Sequence, residues 1–386
     1  MFGGKMNGAA PGAQVVSERV CAFDGGCSSY ALTEGMIDVV VNKHVDVVNM
    51  SIGGLPTVND GSDVRDLLYN RLIDEHGVQI FVSSGNSGPG MNTVSDPSVA
   101  TQVVSVGASV SRETWWADYG SQVRARQALF PFSSRGPRED GDLKPTLVAP
   151  GAAISSIPMW QPGEPVPQAG YDLPPGYAMY NGTSMASPQA TGAAALLLSA
   201  AGTGARKVTP AALRSALTGS ARFLEDEPAY AQGAGLVSVP GAWKLLATKG
   251  EPTAYTVQAS VCSVLADTLV TPRTGAGLYN RCAPAQGGQV PHKKRAPLLI
   301  QPLLDRLPQH AILGDLPRLG AGPAGISAGL GGMRPVVPAA IVVQHSAVAA
   351  DLSAAVGRTA AQLRGYLPDR GLLAQPVCNV DALVLA

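Results

Sequence analysis

Ser184 sits in Asn181-Gly182-Thr183-Ser184-Met185-Ala186-Ser187-Pro188, a run of small residues that leads into an apolar, charge-free stretch. A serine where a helix opens lies at the positive end of the helix dipole, among N–H groups without intrahelical acceptors. Those donors suit a developing oxyanion, so 182–188 fits acyl transfer through a serine nucleophile. The same position also suits a serine that only caps the helix. Pro188 falls in the first turn, where its missing N–H breaks no bond. Asn86, between Gly85 and Ser87, carries an amide that can either shape a turn or donate to an oxyanion.

A serine nucleophile needs a base. His44 lies between a helix and a strand, and His76 ends a helix, where a polar or cationic group suits the dipole. His292, His310 and His345 fall in the C-terminal stretch. None of the five is placed to activate Ser184, and Asp24 in AFDGGC reads as a loop acid.

The elements that must position these residues follow from apolar patterning. Segments 14–20, 45–52, 78–84 and 102–108 read as strands, the last three continuous and β-branched as in a sheet covered on both faces. Helices are expected at 31–43, at 62–75 with Leu67, Leu68, Leu72 and Ile73 as its stripe, and from Met185 to about Ala200. A further helix is expected at about 210–217, with Thr209 as N-cap and Pro210 at its first position. Strands alternating with helices at this spacing imply a parallel α/β sheet. Residues 109–180 hold short ordered pieces and Pro-rich insertions. A first domain is read over 1–248 and the start of a small β module over 249–290. The stretch 291–386 reads as a low-complexity or out-of-frame tail; from Val290 onward Tyr366 is the only aromatic residue.

Charged residues are 15% of the 386 and the net charge is zero, which argues against a nucleic-acid or anionic-membrane partner. The apolar runs are too short and broken for a membrane span. Cys21, Cys27, Cys262, Cys282 and Cys378 lack zinc-ligand spacing, and a Cys21–Cys27 or a Cys262–Cys282 disulfide is open. No metal site, oligomeric state or compartment is assigned.

Several further stretches stand in a telling order: NGAAPGAQVVS at 7–17, VDVVNMSIGG at 45–54, VSSGNSG at 82–88, FSSRGP at 132–137, KPTLVAPG at 144–151, GTSMASP at 182–188 and QGAGLVSVPGA at 232–242. Together they resemble the subtilisin-like serine peptidases, and the insertion before Ser184 looks like that of the large tripeptidyl-peptidase-like members. The resemblance implies a subtilisin-like α/β fold, a parallel sheet with helices on both faces. It makes Ser184 the nucleophile and Asn86 the side-chain oxyanion donor. Ser51, Ile52 and Gly53 become one wall of a peptide cleft, and Ser83, Ser84 and Gly85 the other, with the pocket floor expected in 109–130. It implies peptide-bond hydrolysis through an acyl-enzyme, with no cofactor and a peptide or protein as substrate. The family's aspartate and histidine motifs, similar to DTG and HGTHVAG, are absent. The expectation is therefore an N-terminally truncated domain, lacking N-terminal strands including a central one, that folds poorly alone. The competing expectation is an inactive, peptide-binding pseudo-peptidase. Glu164 and Asp172 are the acids of the insertion that could hold a free amino terminus.

Overall fold

Val47, Val48 and Met50 form one buried strand, and Ile80, Phe81 and Val82 the next, because a sheet covered on both faces needs apolar side chains at successive positions. The alternation is still visible in where each side chain goes. Val47 and Phe81 enter one core, and Val48, Met50, Ile80 and Val82 enter the other.

The computed structural model describes residues 7–22, 26–56, 58–157, 165–166, 170–203, 208–248, 252, 255–275, 299–302 and 384–385. In chain order it begins with β1 Val15–Val16, α1 Ser29–Ile37 with a π-helical turn Asp38–Asn42, β2 Val47–Met50, α2 Val64–His76 and β3 Gln79–Ser83. Then come β4 Val104–Ser111, α3 Arg112–Tyr119, β5 Gln127–Leu129, β6 Leu147–Pro150 and β7 Ala152–Ser156. Short β8 Pro165–Val166 and β9 Tyr171–Asp172 precede β10 Tyr177–Asn181 and the long α4 Thr183–Thr203. α5 Pro210–Ser220, α6 Ala229–Gln232 and α7 Val239–Thr248 follow. Strand β11 Tyr255–Ser260, a short 3-10 helix Ala266–Thr268, and strands β12 Thr274–Gly275, β13 Leu299–Pro302 and β14 Val384–Leu385 complete the described elements.

The main sheet runs β2-β3-β4-β5, with β6 also on β4. β2, β3, β4 and β6 are parallel, and only β5 is antiparallel, through Ser109–Ser111 of β4. On one face, Ala186, Ala190, Ala194 and Leu197 of α4 pack with Leu213 and Leu217 of α5 and Ala242 and Leu246 of α7. Alanine at those α4 positions lets the helix lie close to the strands. On the other face, Leu32 and Met36 of α1 and Tyr69, Leu72 and Ile73 of α2 cover Val48, Ile80 and Val82. This is the expected α/β sheet with helices on both faces, mixed rather than wholly parallel.

Three expectations need correction. Segment 14–20 forms only the two-residue β1, paired antiparallel with β14, which lies beside β2. Val16 and Val20 still pack against the α1 core, so the segment places its apolar residues without a long ladder. The α2 stripe is shifted, because Leu67 is 57% exposed while Asp66, Tyr69 and Ile73 are buried. Positions i, i+3 and i+7 share a helix face, and Asp66 occupies the first of them. The expected helix at 31–43 is an α-helix from Ser29 that loosens into the π-helical turn.

The Thr209 N-cap is present, its Oγ1 accepting from Ala212 N at 3.1 Å with Pro210 at the first position. The Cys21–Cys27 disulfide is formed, and Cys262 is also disulfide-bonded. β12, β11 and β13 form a separate three-stranded antiparallel sheet. Asp24, Glu164 and all but two short strands of 291–386 lie outside the described residues.

Candidate active site

α4 begins at Thr183, so Ser184 is the second residue of its first turn, and the Gly182 carbonyl accepts from Met185 N and Ala186 N. Ser184 therefore does not cap the helix, and Pro188, the sixth residue of α4, lies inside the helix rather than in its first turn as expected. The Ser184 Oγ instead donates to the Ser51 carbonyl at 3.4 Å, while Ser51 Oγ donates back to the Ser184 carbonyl at 2.9 Å. Asn49 Nδ2 donates to Ser51 Oγ at 3.3 Å, and Thr191 Oγ1, one α4 turn beyond Ser187, reaches Asn49 Oδ1 at 3.5 Å. The exit of β2 is thus tied to the start of α4.

The exit of β3 is tied to the same turn. Asn86 Oδ1 accepts from Thr183 N at 3.0 Å and from Thr183 Oγ1 at 2.9 Å. Thr183 Oγ1 in turn accepts from Gly85 N at 3.1 Å. With its oxygen held on Thr183, the Asn86 amide is fixed in orientation, and its Nδ2 faces the Gly182–Ser184 turn. A Cβ built at Gly182 would stand 3.5 Å from Nδ2. Thr183 is fully buried while Asn86 is exposed, so a buried hydroxyl aims a solvent-facing amide.

The two expected walls, 51–53 and 83–85, both converge on this turn. Ser83 and Ser84 are buried, whereas Gly53 is exposed and Gly85 half-buried. The connection between them runs through a segment the sequence did not mark. Ser95 N donates to the Ser84 carbonyl at 2.9 Å, Asp96 N donates to the Gly54 carbonyl at 2.7 Å, and Gly54 N donates to the Asp96 carbonyl at 3.1 Å. A Cβ on Gly53 would meet Ser95 Oγ at 2.8 Å, and one on Gly85 would meet it at 3.1 Å. Ser95-Asp96 thus lies between the walls. The only advance signal was the pair of glycines opposite it.

Behind the walls, Lys144 and Arg138 are 2% exposed. Lys144 Nζ donates to the Ala100 and Val103 carbonyls at 2.7 Å each, and Arg138 pairs with Asp140 at 2.5 Å and Asp142 at 3.4 Å. Burial pushes the Lys144 ammonium down to about 7, reinforced by the Arg138 charge. Lys144 leads into Thr146, whose Oγ1 accepts from Ser105 N, and so seats β6 beside β4. β6 ends at Pro150, and the carbonyl of the next residue, Gly151, accepts from Gly182 N at 2.8 Å.

Other expected residues stand apart. His44 is exposed at a left-handed backbone position, φ 52°, and His76 is exposed at the C-terminal end of α2. Asp172 is exposed on β9. Tyr119, from the stretch expected to hold the pocket floor, receives Asn181 Nδ2 on its hydroxyl at 2.7 Å and packs with Trp115 and Phe130. Among the described residues, no group of three or more His, Cys, Asp and Glu could hold a metal ion.

A serine at a helix start, an amide aimed beside it and two strand exits meeting there can be compared with known families. A model of the subtilase (peptidase S8) family matches residues 2–235. This chain belongs to the subtilase family. The subtilase domain is similar to pyrolysin of Pyrococcus furiosus, 36% identical over 264 residues that cover 62% of this chain and 18% of pyrolysin. It is also similar to tripeptidyl-peptidase 2 of Caenorhabditis elegans, 33% identical over 247 residues, 62% of this chain and 17% of that protein. Among solved structures it is similar to tripeptidyl peptidase 2, at 26% identity and a TM-score of 0.47, covering 64% of this chain and 18% of the other. The chain spans less than a fifth of the length of these large relatives. As a subtilase it is classed with the serine peptidases, whose substrates are peptides or proteins. No helix among the described residues is long and apolar enough to cross a membrane.

Proposed function

We propose that Ser184 is the nucleophile of a peptide-bond hydrolase and that Asn86 Nδ2, with the Ser184 N–H, forms its oxyanion hole. One observation carries the reading: Thr183 holds the Asn86 carbonyl oxygen with two hydrogen bonds, leaving Nδ2 turned toward the Gly182–Ser184 turn. An amide locked in this way needs no reorganisation when charge develops on the carbonyl oxygen. An extended substrate strand lies along 51–53 and 83–85, bonded through its main chain. Attack by Ser184 Oγ gives an acyl-enzyme, which water hydrolyses.

The described residues do not supply the histidine and aspartate that would activate Ser184, and the family's motifs for them are absent from the sequence. Supporting this, Ser184 Oγ bonds only the Ser51 carbonyl among the described residues, and neither described histidine adjoins it. The same observation favours the second reading, a peptide-binding pseudo-peptidase. The likeness to tripeptidyl-peptidase 2 extends the proposal to a member of the large subtilases. The test joins this chain to an upstream subtilase segment that carries the aspartate and histidine, then adds a fluorophosphonate. Labelling mapped to Ser184 and slowed about 10²–10³-fold by Asn86→Ala is expected. Label on another residue, or a rate indifferent to Asn86, contradicts the assignment.

A further inference from the structure

Asp66 lies on the buried face of α2, 1% exposed, yet neither of its carboxylate oxygens has a hydrogen-bond donor. Asp96 stands against it. One Asp96 oxygen, Oδ2, meets Arg65 Nη1 at 3.3 Å, while the other, Oδ1, is buried without a donor. Two ionised carboxylates placed in this way leave three buried acceptors unmet and repel each other. One proton on Asp66 removes the repulsion and leaves a single neutral carbonyl oxygen of Asp66 without a donor, since Asp66 then donates to Asp96 while Asp96 keeps its charge for Arg65. Burial first, then the Asp96 charge, push the Asp66 carboxyl up to about 8. Asp63, at the cap of the same helix, adds to this, and Arg138 from the 135–145 loop opposes it. The Asp96 carboxyl is also raised by burial, against the pull of Arg65. The Tyr69 hydroxyl, one turn further along α2, is raised by burial and keeps its proton throughout.

The pair lies behind the cleft. Asp96 is the residue whose backbone exchanges two hydrogen bonds with Gly54, and the adjacent Ser95 is bonded to Ser84 on the other wall. Whatever fixes the Asp96 side chain fixes the separation of the walls. We infer that the proton shared by Asp66 and Asp96 is a positioning element of the peptide cleft, holding the 51–54 wall in register with the 83–85 wall. Loss of that proton puts two charges into one dry site, drives Asp96 away from α2, and releases Gly54. Neither aspartate touches substrate, so both act through the Gly54–Asp96 bridge. This rests on the cleft reading above for its functional part and on the structure alone for the proton.

The test separates the two. Amide protection factors at Gly54 and Asp96, corrected for intrinsic exchange, are measured from about pH 6 to 9.5 in the full chain and in Asp66→Asn. Binding of a fluorescein-labelled hexa-alanine is followed over the same range. Asparagine supplies an N–H to Asp96 at every pH. In the wild type, protection and peptide affinity are expected to fall at least tenfold above about pH 8, the slope that one departing proton imposes. In Asp66→Asn both stay flat. Protection that is independent of pH in the wild type, or that falls equally in the variant, overturns the shared proton. Protection that falls while peptide affinity holds overturns the positioning role. Absence of peptide binding in both proteins at every pH counts against the cleft reading instead, with the amide profile still deciding the proton. Should Asp66→Asn not fold, the wild-type amide profile alone decides.

Discussion

Lys144→Met tests how the scaffold behind Ser184 carries a buried cation. In the folded chain burial pushes this ammonium down from 10.5 to about 7, while the unfolded lysine keeps its ordinary value. Between those two values the unfolded chain holds the extra proton, so stability rises with pH at about 1.4 kcal/mol per unit, about 5 kcal/mol in all. Below pH 7 the ammonium is charged in both states and its burial cost is borne in full. Methionine matches the stem and does not titrate. It strands the Ala100 and Val103 carbonyls, a penalty that does not change with pH. The wild type should therefore gain on the variant by about 3 kcal/mol between pH 6 and 9, since titrations common to both cancel. Urea unfolding measures this as a relative midpoint shift of about 1 M at a slope of 2–3 kcal/mol/M. Stability curves that stay parallel from pH 6 to 9 would refute the reasoning, because a lysine charged in both states gives no pH-dependent difference.

Gly85→Ala should destabilise the domain by about 1–3 kcal/mol in the same unfolding assay. The position has φ +103°, and the new Cβ would meet Ser134 Oγ at 2.8 Å. Thr183→Val keeps the shape of a fully buried side chain but removes the hydroxyl that orients Asn86 and receives Gly85 N. It should slow fluorophosphonate labelling of the histidine-complemented domain at least tenfold, and equal rates would show that the remaining bond from the residue-183 N–H is enough to orient Asn86. Leu217→Ala opens the α4–α5–α7 core at a fully buried position and should cost about 2–5 kcal/mol. A cost under 1 kcal/mol in urea unfolding would mean that the core collapses around the gap.

The strands were legible because their chemistry is local. A run such as Val47-Val48-Asn49-Met50 has to be covered on both faces, and Thr209-Pro210 announces a helix start before any tertiary contact exists. The site was legible in another way, through Ser184 and Asn86 in their motifs. Periodicity does not reveal that residues 97 apart are joined through Thr183. Ser95-Asp96 stayed hidden because its importance comes from bridging Gly54 and Ser84, and nothing in its own stretch repeats or alternates. Asp66 fell outside the expected stripe of Leu67, Leu68, Leu72 and Ile73 for a physical reason. Acids in the first helical turn ordinarily face solvent and complement the dipole, as Asp63 does at the N-cap. Yet Asp66 shares spacing with Tyr69 and Ile73, and that spacing places a carboxyl in the core.

The most direct test of the account is hydrolysis of an activated peptide ester by the purified 386-residue chain beside its Ser184→Ala variant. On the proposed reading the serine hydroxyl at this helix start has an oxyanion donor beside it and, among the described residues, no base, so the account predicts equal rates for the two proteins. Turnover by the chain at several orders of magnitude above the variant would contradict it, because a group within the chain would then be activating Ser184.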